Sequence, residues 1–105
     1  MTQFVDSERT DGVRVLAVEG AIDLAVLDEL IARVRDCLGR ADALEVDFAG
    51  VSFIDSSGLG ALVLVSKEAA AQGKDFRLVH VHTAALRILQ LSGLHDMLVK
   101  QDPQP

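Results

Sequence analysis

The hydrophobic period of this chain switches repeatedly between two and about 3.6 residues, and that alternation restricts the fold more than any other feature. Val13 to Gly20 is rich in Val, Leu and Ala between the polar run Asp6–Asp11 and the break Gly20-Ala21-Ile22-Asp23, so it reads as a strand with which Phe4-Val5 can pair as a hairpin. From Leu24 the apolar positions become Leu27, Leu30, Ile31, Val34 and Leu38, an amphipathic helix with Asp23 expected as N-cap, Gly39 as stop and Glu29 paired with Arg33 on its wet face. Leu44-Glu45-Val46-Asp47-Phe48 alternates as a strand, and Val51-Ser52-Phe53-Ile54 carries the chain on. A second helix is expected from about Ser57 to Gln72, stopped by Gly73, and Phe76 to His82 is the next strand. Thr83 is expected to cap a third helix through Leu91 that ends at Gly93, before a last short strand at Met97-Leu98-Val99-Lys100 and a loose tail over 101–105.

The order β-β-α-β-α-β-α-β predicts one α/β domain over 1–105: a mixed, mostly parallel sheet with α-helices and right-handed crossovers. In open sheets of this kind function gathers at the carboxyl ends of the strands, and Asp23 and the turn Asp55 to Gly58 both fall there. A length of 105 residues suits one such core, and no repeat or linker divides it. Only four residues are aromatic, all Phe, so no binding site can rest on Trp or Tyr. Sixteen acidic residues against ten basic give a net charge of −6, which argues against nucleic acid or an anionic membrane and leaves a basic protein surface as a suitable partner. The lone Cys37 forms no internal disulfide and belongs to no metal or redox motif; it reads as a packed or half-exposed thiol in a reducing compartment. No apolar run reaches the roughly 18 residues of a membrane span, and Met1-Thr2-Gln3-Phe4-Val5-Asp6 lacks the pattern of a signal segment, so a cytoplasmic protein is expected.

Chemistry concentrates in Ile54-Asp55-Ser56-Ser57-Gly58-Leu59-Gly60, where a buried strand turns into a helix. The first N–H groups of a helix lack internal partners and its end carries partial positive charge, so a serine there either caps the helix or holds a phosphoryl group. Phosphorylation would add nearly two negative charges to a turn already bearing Asp55 and, nearby, Asp23; the helix end would tolerate this, an acidic or apolar partner face would not. The unbroken apolar run Leu59, Ala61 to Val65 cannot all face one sheet, so either part of it is exposed for a partner or a neighbouring helix covers it. Gly58 and Gly60 weaken the helix start and would let another protein's backbone approach.

Enzymatic readings fit poorly. Ile54 stands where the nucleophile elbow Gly-x-Ser-x-Gly needs glycine, and both the phosphate-binding loop and the dinucleotide fingerprint are incomplete. His80 and His82 lack the supporting ligands of a metal site, and nothing in the sequence brings them or His95 to Ser56. No catalytic residue, metal or cofactor is assigned.

Val51-Ser52-Phe53-Ile54-Asp55-Ser56-Ser57-Gly58-Leu59-Gly60, with Gly20-Ala21-Ile22-Asp23 and Leu91-Ser92-Gly93-Leu94, resembles the STAS domains of bacterial anti-sigma factor antagonists, a similarity that spans nearly the whole chain. The resemblance implies a small cytoplasmic non-enzyme that binds an anti-sigma factor, itself often a serine kinase, and frees a sigma factor for transcription. It implies phosphorylation on Ser56, less readily Ser57, blocking of binding by that phosphate and restoration by a phosphatase. The surface it implies for the partner takes in Asp23, Asp55, Ser57, Gly58, Leu59, Gly60, Leu64, Ser92 and Gly93. One departure is that no final helix is expected after the last strand. The same fold also serves as an unphosphorylated adaptor in transport or stress-signalling complexes, which is the alternative reading.

Overall fold

The computed structural model describes residues 1–9, 11–93 and 98. Its elements are β1 (Gln3–Glu8), β2 (Arg14–Ile22), a 3-10 turn (Leu24–Val26), α1 (Leu27–Arg40), β3 (Ala43–Ile54), α2 (Ser56–Ala71), β4 (Asp75–Val79) and α3 (Thr83–Ser92). The strands lie in the order β1-β2-β3-β4, with β1 antiparallel to β2 and the other two pairings parallel. This is the mixed α/β sheet that the periodicity implies.

Register explains which residues form the core. Leu16 lies opposite Val46, Leu44 opposite Phe76, Val46 opposite Leu78 and Ile22 opposite Ile54, so these side chains share one face of the sheet. Against it pack Leu30, Val34, Cys37 and Leu38 of α1, Leu59, Leu62, Val65 and Ala69 of α2, and Leu89 of α3, all buried. Burial also pushes the Cys37 thiol up to about 11, so it stays protonated and unreactive near neutrality.

β3 is a single strand of 12 residues in which Leu44, Val46 and Phe48 alternate but Val51 and Ile54 do not. Its pairing with β2 shifts between Ala17 and Glu19 and again between Gly20 and Ala21. At each shift β3 carries one extra residue, and the two extras return Val51 and Ile54 to the core face. A side chain at Gly50 would come within 2.8 Å of Glu19 Cγ, so glycine suits this irregular stretch.

Several boundaries differ from the sequence reading. Gly39 does not stop α1, which continues to Arg40 and ends at the extended Ala41; the late carbonyl of Leu38 accepts from Lys74 Nζ, and Arg40 ties the end to Asp36 and Asp6. Gly73 and Gly93 do end their helices, with φ of +70° and +78°. Thr83 does not cap α3 but begins it, behind His82, which makes no side-chain cap bond. β4 stops at Val79 because His80 turns to φ +55° with its Nδ1 3.0 Å from Asp47 Oδ1. Of the last strand expected at 97–100, Leu98 is helical and fully buried, which replaces strand by helix at that position. The rest of that segment and the tail over 101–105 lie outside the described residues.

Candidate functional site at the carboxyl ends of β2 and β3

β2 and β3 finish side by side, with the Asp55 amide donating to the Ile22 carbonyl at 3.2 Å, so the turns after the two strands adjoin. Asp23 caps the 3-10 turn through Oδ1, which accepts from the Ala25 amide at 3.1 Å. Asp55 is extended, φ −101° and ψ −178°, and caps α2. Its Oδ1 accepts from the Gly58 amide at 3.0 Å and from the Ser57 hydroxyl at 2.5 Å. A carboxylate therefore does the capping that a serine was expected to do, because β3 ends one residue before Asp55 and α2 already begins at Ser56.

The two serines are thereby made different. Ser57 is half-buried and donates to Asp55, whereas Ser56 is exposed and its hydroxyl has no hydrogen-bond partner among the described residues. The Ser57 hydroxyl, and after it the Gly58 amide, hold the Asp55 carboxyl below the usual carboxylate range, since both donate to its charged form.

Gly58 and Leu59 face inward. A Cβ on Gly58 would lie 2.8 Å from Ile22 Cγ2, 2.9 Å from Ile54 Cγ1 and 3.1 Å from the Ile22 carbonyl oxygen, so the start of α2 rests directly on the ends of β2 and β3. Leu59 is only 8% exposed. The wet side of α2 instead carries Ser56, Gly60, Leu64 and Lys67, at helical spacing, with Val63 half-buried among them. Leu64 is 44% exposed, which answers the question posed by the apolar run: most of it is core, and Leu64 is the surplus.

Two further apolar side chains stand free at this end of the sheet. Leu24 follows Asp23 at 74% exposure, and Phe53 near the end of β3 is 50% exposed. The sequence reading did not select either, although the signals were present: Leu24 falls outside the helical stripe that starts at Leu27, and Phe53 sits where strict alternation in β3 breaks. Ser92 ends α3 and the exposed Gly93 closes it; among the described residues no hydrogen bond ties Gly93 to the Asp55 turn.

His80 pairs with Asp47 and His82 is exposed before α3, while His95 lies outside the described residues. Among the described residues no three His, Cys, Asp or Glu side chains cluster as metal ligands, and no helix is long and apolar enough to cross a membrane. What the geometry offers is one accessible hydroxyl at a helix start, two acidic turns, the exposed Leu24 and Phe53 at the same end of the sheet, and Leu64 two turns further along α2. A single added charge at that hydroxyl would alter the electrostatics of the helix start.

The fold is shared with solved structures of related kinds. An anti-sigma factor antagonist from Mycobacterium paratuberculosis is 25% identical, with 93% of this chain and 83% of that chain aligned at a TM-score of 0.83. The Bacillus cell fate determinant SpoIIAA in its phosphorylated form is 22% identical over 95% of this chain and 92% of that one, at a TM-score of 0.71. A sulfate transporter family protein from Wolinella succinogenes is 20% identical over 88% and 75% of the two chains, at a TM-score of 0.74. Residues 4–104 match the STAS domain, and the chain belongs to the STAS domain family.

Proposed function

We propose that this chain is a cytoplasmic anti-sigma factor antagonist: it binds an anti-sigma factor with serine kinase activity, so that a sigma factor is released, and phosphorylation of Ser56 switches binding off until a phosphatase removes the phosphate. The observation that carries this reading is the exposed Ser56 hydroxyl, without a hydrogen-bond partner among the described residues, at the first residue of α2 and on the same helix face as Leu64. Likeness to antagonists, one of them solved in a phosphorylated form, supports it.

The mechanism is surface chemistry rather than refolding. Leu64, with Leu24 and Phe53, offers apolar area that a partner can cover, and Asp23 and Asp55 favour basic groups on that partner. A phosphoryl group on Ser56 would bring nearly two negative charges into that contact, where burial without a cation is costly. The fold itself tolerates the charge, because a helix start favours an anion. In this role the chain is a binding protein and not an enzyme.

The test is affinity for the anti-sigma kinase measured beside thermal stability. Ser56→Asp is expected to weaken binding by about tenfold or more, equivalent to about 1.4 kcal/mol, with Tm nearly unchanged. Leu64→Glu is expected to do the same, since its side chain is half exposed and need not be buried to fold. Full affinity in both variants would count against the Ser56 switch, whereas wild type that does not bind the kinase would favour an unphosphorylated adaptor in a transport or stress-signalling complex, the reading that likeness to the sulfate transporter family protein keeps in view.

A further inference from the structure

We infer that Asp55 is a positioning residue that decides which of two adjacent hydroxyls can be phosphorylated, by holding Ser57 as a donor within the helix cap and leaving Ser56 as the acceptor. This deepens the phosphorylation reading above and rests on it.

Ser56 and Ser57 are chemically identical neighbours, so their difference must come from surroundings. In phosphoryl transfer the serine oxygen forms a bond to the γ-phosphorus of a nucleoside triphosphate, and the bond from that phosphorus to the β–γ bridging oxygen breaks. The nucleoside diphosphate leaves with the electron pair, and the hydroxyl proton passes to a base on the kinase. The hydroxyl must therefore be reachable and free to give up its proton. Ser57 meets both conditions less well: it is only partly exposed, and its hydroxyl donates to Asp55 Oδ1 at 2.5 Å, a charge-assisted bond of the strong kind that must be given up. The same oxygen also holds the Gly58 amide at 3.0 Å, so releasing Ser57 disturbs the cap that starts α2. A phosphoryl group on Ser57 would also stand beside the carboxylate that had bound its hydroxyl. Ser56 breaks no bond when modified, faces solvent, and lies at the first helical residue, where negative charge is favoured.

The first experiment needs no kinase. Phosphoserine is installed at position 56 or at position 57 during translation, and Tm is compared with the unmodified protein. Phosphoserine at 56 is expected to leave Tm within about 2 °C, and phosphoserine at 57 to lower it by about 5–10 °C, the scale of a lost cap in a domain of this size. Asp55→Asn keeps a good capping residue but removes the charge, so in that background the gap between the two phosphoproteins is expected to shrink by about half or more. Equal Tm for the two phosphoproteins, or a gap unchanged by Asp55→Asn, overturns the inference.

A second arm uses ATP and the anti-sigma kinase, with the phosphate located by tandem mass spectrometry. Wild type is expected to be modified on Ser56 alone, and Asp55→Ala on both serines; modification confined to Ser56 in folded Asp55→Ala also overturns the inference. Unmodified wild type would instead count against the proposed function, while the thermal comparison still decides the role of Asp55.

Discussion

At the scale of single residues, the turn depends on one carboxylate oxygen that accepts two donors. Ser, Thr, Asp and Asn are all strong helix caps, so Asp55-Ser56-Ser57 contains three candidates, and composition does not rank them. The decision lies in where β3 stops, which places the extended backbone of a cap at Asp55 and leaves Ser56 and Ser57 inside the first turn. Asp55 and the serine pair were therefore legible as a site, but their division of labour was not, because it follows from a boundary shifted by one residue. The arrangement has a pH signature. The Asp55 carboxyl is depressed in the fold, first by the Ser57 hydroxyl and then by the Gly58 amide, so its contribution to stability is complete above the ordinary value of 3.8 and is lost as pH falls through the depressed one. Ser57→Ala removes the larger cause and is expected to raise the Asp55 carboxyl toward 3.8, as followed by its carboxyl carbon shift in an NMR titration. An identical titration in wild type and Ser57→Ala would mean that the hydroxyl does not donate to Asp55 in solution.

At the scale of elements, two glycines two residues apart in α2 do opposite work. Gly58 is where the helix touches the strand ends, and the atoms nearest a new Cβ belong to Ile22 and Ile54, branched side chains that are themselves buried. Gly58→Ala is expected to cost about 1–3 kcal/mol through overpacking. At Gly60 nothing lies within 4 Å of a Cβ and the residue is exposed, so Gly60→Ala is expected to raise stability by about 1 kcal/mol, the ordinary helix preference for alanine. Chemical denaturation of the two single variants reads both signs. If the bare surface at Gly60 is there for a partner's backbone, the stabilised Gly60→Ala protein is also the one that binds the anti-sigma factor less well; equal binding would leave Gly60 without that role. Neither sign follows from sequence alone, where Gly-Leu-Gly offers two equal breaks in a helix. β3 shows the same limit in a strand: Leu44 to Phe48 is legible by alternation, but two bulges hide that Val51 and Ile54 belong to the same strand and the same face.

At the scale of the whole molecule, what was legible is what depends on period. The strands and helices from Gln3 to Ser92 follow the hydrophobic pattern in order, and parallel β2 and β3 then bring the turns at Asp23 and Asp55 to one edge. Ion pairs then tie separate elements together: Asp6 of β1 pairs with Arg14 of β2 and Arg40 of α1, and Arg35 of α1 pairs with Glu68 of α2 at 2.7 Å. The partners that reach α1 and α2, Asp6 with Arg40 and Arg35 with Glu68, are far apart in sequence and carry no local pattern by which they could be read. The same holds for Leu98, whose short apolar neighbourhood fits strand and helix equally well until it is seen helical and fully buried. Its burial makes this side chain part of the core. Leu98→Ala is expected to cost about 2–5 kcal/mol by leaving a cavity. In a domain of this size that is a fall in Tm of roughly 10–25 °C by calorimetry. Binding to the proposed anti-sigma partner should be retained below that melting point, since Leu98 contributes no exposed surface. A fall of less than about 2 °C would show that Leu98 does not seal the core in solution.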